Sequence, residues 1–268
     1  MNNNATPIQR MDAGWWAKRD DTAAGGRGAK FRQYAKMIES QLPGLPLVVG
    51  CAASSAMPYY MVHAGQTYDR PVHVFCPERK TPTPTIGWAA ARGATIHPVR
   101  PGYMTVVRKR ARDYINENGG AVRWCPNVAI TDTAAELVAT GVPDGCRRIV
   151  VPTGSGATAA GVLLGLANIG RLDVPILCVA VSTMADLPGV YDAYRPFEPV
   201  GAPVAKIDLV RHPYPYEKPH NATLPNGDST DPWYAGKCVE YVKPGDMLWI
   251  AGNRLAGLLP GVPAGGEK

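Results

Sequence analysis

A chain of 268 residues, 46% hydrophobic and 19% charged, has the makeup of a globular protein with a sizeable core, which excludes a disordered or fibrous chain and fits one large domain or two interleaved smaller ones. No run approaches the ~18 consecutive apolar residues of a membrane span, and Met1–Arg10 is polar where a secretion signal is apolar, so a cytoplasmic location is expected. The net charge of +6 and a pI near 9.0 favour encounter with anionic partners.

Arg108, Lys109, Arg110 and Arg112 concentrate that charge locally, and the cluster reads either as a solvated helix face or as a nucleic-acid contact. The six cysteines at 51, 76, 125, 146, 178 and 238 include no C-x-x-C pair, so they read as reduced core residues with neither a zinc site nor a disulfide framework. His63, His73, His97, His212 and His220 show no metal-ligand spacing, and no metal is expected.

After a polar amino-terminal arm, Phe31–Gln41 carries Phe31, Tyr34, Ala35 and Ile38 at helical spacing, and Pro46–Val49 is a short apolar strand. A helix at Met57–Ala64 and a strand at Pro71–Phe75 follow the Gly50–Ser55 loop. Then come a helix at Thr85–Arg92, a strand at Thr95–Val99, and helices at Val106–Asn118 and Asp132–Gly141. Arg148–Val151 and Pro175–Ser182, on either side of an apolar helix at Ala157–Ile169, read as strands buried on both faces of a parallel sheet. Pro188–Asp231 shows no periodicity and reads as loops and short elements bordering a site. A helix at Tyr234–Val242, a strand at Met247–Ala251 and a Gly/Pro-rich tail complete the chain. Asn221-Ala222-Thr223 matches a glycosylation acceptor by chance.

Val150–Gly161 reads V-V-P-T-G-S-G-A-T-A-A-G and joins a buried strand to an apolar helix. Glycines there let backbone N–H groups close around an anion, and the helix start adds a favourable partial positive charge. The Gly-Lys-Ser/Thr of a Walker loop is absent, the dinucleotide fingerprint is only half met by Gly154, Gly156 and Ala159, and the acidic residues that precede a phosphoribosyl loop are replaced by Val150, Val151 and Pro152. A phosphate cup and a purely structural strand-to-helix turn remain the two readings of this segment alone.

Other segments give the loop company. Arg19-Asp20-Asp21, Gly25-Gly26 and Lys30-Phe31-Arg32 resemble the R-D-D, G-G, K-x-R segment of the fold type II enzymes that use pyridoxal 5′-phosphate (PLP), the group of tryptophan synthase β, and most closely its aminocyclopropane-carboxylate deaminase and D-cysteine desulfhydrase branch. Gly50–Met57 falls where that family has a G-G-x-x-S-N loop. The Gly-rich segment resembles its G-S-G-G-T phosphate loop, and Asp231–Lys237 (D-P-W-Y-A-G-K) resembles its D-P-V-Y-x-G-K segment.

The resemblance implies an α/β fold of two interleaved three-layer αβα domains with mostly parallel sheets. Residues 1–50 and 130–268 would form the larger, cofactor-binding domain and 51–129 the smaller. It also implies PLP, held as a Schiff base by Lys30, which then acts as general base, with Tyr234 and Ser54 as further catalytic groups. Thr153, Gly154, Ser155, Gly156, Ala157 and Thr158 would hold the phosphate, and Ser55 the phenolic oxygen or a substrate carboxylate. Each residue has a plainer reading: Lys30 as a solvated lysine, Tyr234 as core, Ser54 and Ser55 as helix caps.

Two departures stand out. The family's loop asparagine is missing at Ser54–Ala56, and Ala235 stands where the deaminases place a carboxylate opposite the pyridine nitrogen, which weakens the electron sink and argues against deamination of free aminocyclopropane carboxylate. Three functions stay open. One is deamination, elimination or decarboxylation of a free amino acid. A second is the same chemistry on an amino-acid-modified thymine in DNA, since the chain is also similar to compact PLP-fold proteins of tailed phages. The third is a non-catalytic binding module. The resemblance favours a homodimer.

Overall fold

The computed structural model describes residues 5–118, 121–122, 125–182, 185–198, 203–220, 223–228 and 230–253; the tail and Asn221-Ala222 lie outside them. In chain order the elements are β1 (Ile8–Arg10), β2 (Trp16–Lys18), a four-residue turn α1 (Ala23–Gly26), α2 (Ala29–Glu39), β3 (Leu47–Gly50), α3 (Met57–Tyr68), β4 (Val72–Pro77), α4 (Pro84–Ala90), β5 (Thr95–Val99) and α5 (Met104–Asn118). They continue with α6 (Pro126–Thr140), β6 (Arg148–Thr153), α7 (Ala157–Asn168), β7 (Ile176–Ala180), α8 (Leu187–Tyr194), β8 (Ile207–Arg211) and β9 (Asp246–Trp249).

The strands form a six-stranded sheet in the order β1-β2-β9-β6-β7-β8 and a three-stranded sheet in the order β3-β4-β5. Every pair is parallel except β1 with β2. The fold is thus α/β with mostly parallel sheets, and the chain leaves the larger unit, enters the smaller and returns: residues 5–29 and 126–253 belong to one, 30–125 to the other. Residues 30–50, grouped in the sequence reading with the larger domain, fall in the smaller one because β3 is hydrogen-bonded to β4.

In the larger unit β7 and β9 are buried throughout and β6 at every residue but its first, as strands covered on both faces must be. Helices α6 and α7 pack closely because Gly161 and Gly165 carry no side chain: a Cβ would stand 2.6 Å from Thr133 at the first and 2.8 Å from Leu137 at the second. Buried Lys18 on β2 reaches Glu136 on α6, Nζ to Oε1 at 2.5 Å, and Thr6 donates its N–H and hydroxyl to the same carboxylate. In the smaller unit Val48, Phe75 and Val99 from the three strands pack under Val107 and Ala111 of α5.

Four expectations are corrected. The polar arm contains β1 and β2, three residues each and stitched to the sheet edge. The aperiodic stretch 188–231 contains most of α8 and a full sheet strand, β8. The helix expected from Asp132 starts at Pro126, with proline suited to an open first turn. The segment expected as a helix at Tyr234–Val242 is a 3-10 turn at Ala235–Tyr241, wound tight by bonds such as Lys237 N–H to Tyr234 C=O and Val242 N–H to Val239 C=O.

Candidate active site

Strand β6 ends at Thr153, whose hydroxyl is committed to the Val151 carbonyl at 3.0 Å, and α7 begins three residues later with Gly156 as its N-cap at φ +83°. That left-handed backbone favours glycine. No side chain caps the helix, so its first-turn N–H groups, which have no partner within a helix, are left for an acceptor from outside. Ser155 is exposed and Thr158 half-buried, placing two hydroxyls beside those amides, while Ala157 is buried at the helix start.

Two walls close on the loop. A Cβ at Gly154 would lie 2.5 Å from the Tyr234 hydroxyl, and one at Gly156 would lie 3.2 Å from Val190 Cα on α8. The backbone therefore reaches the bottom of a narrow cup where any side chain would intrude. Glycine positions, first-turn amides and two hydroxyls together fit a phosphate monoester.

Tyr234 is itself held. Tyr216 stands edge-on to it with ring centroids 6.3 Å apart. The buried Lys237 ammonium donates to the carbonyls of Pro215 at 2.7 Å and Tyr214 at 3.4 Å, fixing the segment that carries Tyr216. Burial holds the Tyr234 phenol well above its usual pKa, against an opposing hydrogen bond with the Gly154 backbone. It is a proton donor at neutral pH, not a base. Sequence reasoning missed Val190, Tyr216 and Lys237; only Lys237 carried a signal, as the last residue of the D-P-W-Y-A-G-K run.

In the smaller unit, Lys30 lies in the first turn of α2. The residue before it, Ala29, donates its N–H to the Ala251 carbonyl beyond β9 at 3.0 Å, and Gly28 passes so close that a Cβ would stand 3.1 Å from Gly252 Cα. Burial lowers the Lys30 ammonium from 10.5 to about 8, which makes the uncharged, nucleophilic amine accessible near neutrality. One turn on, Tyr34 is fully buried, and burial first, then Cys51 in the loop after β3, pushes its phenol up.

Ser54 and Ser55 lie in that same loop. The Ser55 hydroxyl accepts the Met57 N–H at 3.1 Å, just ahead of α3, whose N-cap is Ala56 without a side-chain cap bond. The structure thus brings Thr153, Gly154, Ser155, Gly156, Ala157, Thr158 and Tyr234 together in one unit. Lys30, Ser54 and Ser55 lie in the other.

Comparison with known proteins agrees with this chemistry. A family profile described as "Pyridoxal-phosphate dependent enzyme" matches residues 2–223. Among curated proteins no sequence match is found. Among solved structures, an ACC deaminase homologue aligns over 94% of this chain and 90% of its own, with a TM-score of 0.75 at 19% identity. An O-ureido-L-serine synthase aligns over 98% and 94%, at 0.65 and 14%. Threonine deaminase isoform 2 from Solanum lycopersicum aligns over 93% and 79%, at 0.59 and 16%. At such identities these likenesses establish the fold, while the profile match spans most of the chain. With the cup and the lowered lysine already in place, the chain belongs to the pyridoxal-phosphate dependent enzymes, and its cofactor is pyridoxal 5′-phosphate.

Proposed function

We propose that this enzyme labilises a bond at the α-carbon of an amino-acid-like substrate, by deamination, elimination or decarboxylation, with Lys30 as the amine that carries the cofactor. The observation that carries the reading is the Lys30 amine, lowered to about 8 by burial: a lysine meant only for solvent keeps its ordinary value. PLP, when bound, supplies an electron sink for the charge left at the α-carbon.

The chain's own residues do the rest. The backbone at Gly154 and Gly156, the first-turn amides of α7 and the hydroxyls of Ser155 and Thr158 hold the phosphate, and Thr153 and Ala157 shape the ends of the cup. Ser54 and Ser55 orient a substrate carboxylate. With the cofactor in place, the Lys30 amine would serve as a base for the α-proton, and Tyr234, kept protonated by burial, would be a proton donor. Ala235, buried with 1% exposure, offers no carboxylate to a pyridine nitrogen. That favours reactions that make a modest demand on the sink.

A screen of free amino acids for release of ammonia, keto acid or CO2, run with the yellow holoenzyme, tests the reading. Turnover of at least one substrate with loss in Lys30→Ala is expected; a full panel without turnover would contradict it.

One observation favours a second reading, in which the amino acid is borne by a modified thymine in DNA. Arg108, Lys109, Arg110 and Arg112 are all exposed on α5, with Lys109 paired to Asp113 at 2.8 Å. Retention on DNA that falls steeply with salt, through counterion release, is its signature. Salt-insensitive behaviour would count against it.

A further inference from the structure

Away from the cup, the end of β8 and the 3-10 turn at Ala235–Tyr241 bring together three side chains that lie far apart in sequence. His212, His220 and Glu240 each offer a ligand atom, and these atoms lie within 4.8 Å of one another. We propose that they bind one divalent transition-metal ion of the zinc, cobalt or nickel class. This site is independent of the PLP reading.

The donor set suits such an ion, since two imidazoles and one carboxylate are borderline ligands of the zinc type. His212 is buried, and its Nε2 has no hydrogen-bond partner among the described residues. Glu240 Oε1 stands 3.1 Å from that nitrogen but off the direction in which a ring N–H would donate. Two ligands at about 2.0–2.2 Å from a single tetrahedral ion stand about 3.4 Å from each other, so this edge already has the spacing of a shared metal. His220 is half-buried and Glu240 exposed, and both can swing inward to close the remaining distance.

The His212 ring binds a metal in its neutral form. Its Nδ1 accepts the Tyr214 N–H at 3.1 Å, so the metal-free ring carries its proton on Nε2. Binding moves that proton to Nδ1 and gives up this one local hydrogen bond, against three coordinate bonds gained. The Lys237 charge is turned onto the carbonyls of Tyr214 and Pro215.

The ion would act as a brace. His220 N–H is bound to the Pro232 carbonyl at 2.8 Å, two residues before Tyr234, and Glu240 lies on the turn that follows Tyr234. A metal across them ties both flanks of the cup's tyrosine wall to β8.

The test is titration of the full-length holoenzyme with Co2+, followed by its visible ligand-field bands, and with Zn2+ by calorimetry. Saturation at one equivalent per chain is expected, with loss of the bands in His220→Ala and a weakened site in Glu240→Gln. Both substitutions are at solvent-accessible side chains, and circular dichroism reports their folding. The proposal is overturned if the native chain takes up no ion, or if both folded variants bind as the native chain does.

Discussion

The two units of this enzyme are each built on a mostly parallel sheet with helices packed on it, yet in the proposed site they contribute chemistry of opposite kinds. The larger unit works through its backbone. Its cup exists because glycines stand at 154 and 156, where a Cβ would meet Tyr234 or Val190, and because the first turn of α7 is left uncapped. In the proposed site the smaller unit contributes a side chain, the Lys30 amine shifted to about 8 by its surroundings. A backbone site is protected by sterics and tolerates no added atoms; a side-chain site is set by desolvation and follows pH.

Replacing Lys30 by alanine tests the side-chain half and carries the largest expected effect. Loss of the nucleophile and base costs turnover about 10³-fold or more, and the yellow colour of the bound cofactor disappears while the fold remains. The same contrast has a pH arm: rebinding of PLP to the apoenzyme should quicken as pH rises toward about 8 and level off above it, followed by stopped-flow absorbance. A plateau reached only near 10.5 would mean that the amine is not desolvated.

The larger unit's stability depends on the buried ion pair between Lys18 and Glu136. Glu136→Ala takes the carboxylate away from the Lys18 ammonium, which has 0% exposure, and should cost about 3–5 kcal/mol in urea unfolding. Replacing both partners by apolar residues should recover most of it.

Gly154→Ala tests the backbone half. Its new methyl meets the Tyr234 hydroxyl at 2.5 Å, a strain of about 1–3 kcal/mol that should weaken PLP binding roughly ten- to hundredfold. Adding Tyr234→Phe removes the colliding oxygen and should restore part of the affinity, which a non-steric cause would not allow.

The smallest effect is in the smaller unit, where His73 Nδ1 faces His97 Nε2 at 3.1 Å and Tyr114 meets His73 Nε2 at 3.2 Å. Burial lowers both imidazoles below 6.5, and His97 lowers His73 further. A group with a depressed folded-state pKa gives stability that is present above its unfolded value and lost as pH falls through the folded one. Protection of the β4 and β5 amides, taken relative to their intrinsic exchange rates at each pH, should therefore fall below about pH 6.5, and less so in His97→Phe.

Much of this was legible in the sequence, for identifiable reasons. Strands β6, β7 and β9 read as continuous apolar runs because both faces are covered, and the cup read as glycines between a strand and a helix. What stayed hidden was non-local. Nothing in the sequence says that Val190 or Tyr216 walls the cup, since each is brought there by packing. Helix α8 was masked by prolines, although Asp186 caps it by accepting Gly189 N–H at 2.7 Å and Pro188 lies in its first turn, a start signal in plain view. Strand β2 was missed because its buried Lys18 looks like solvated arm until Glu136 is beside it. The His212, His220 and Glu240 cluster defeats spacing rules because it is assembled by β8 and the turn after Tyr234, not by one element.

The most direct test of the central claim is borohydride reduction of the PLP-loaded protein followed by peptide mapping. A pyridoxyl group on Lys30, in a single modified peptide, is the predicted result. Reduction that labels another lysine, or a stable complex in which no lysine is labelled, would contradict the account.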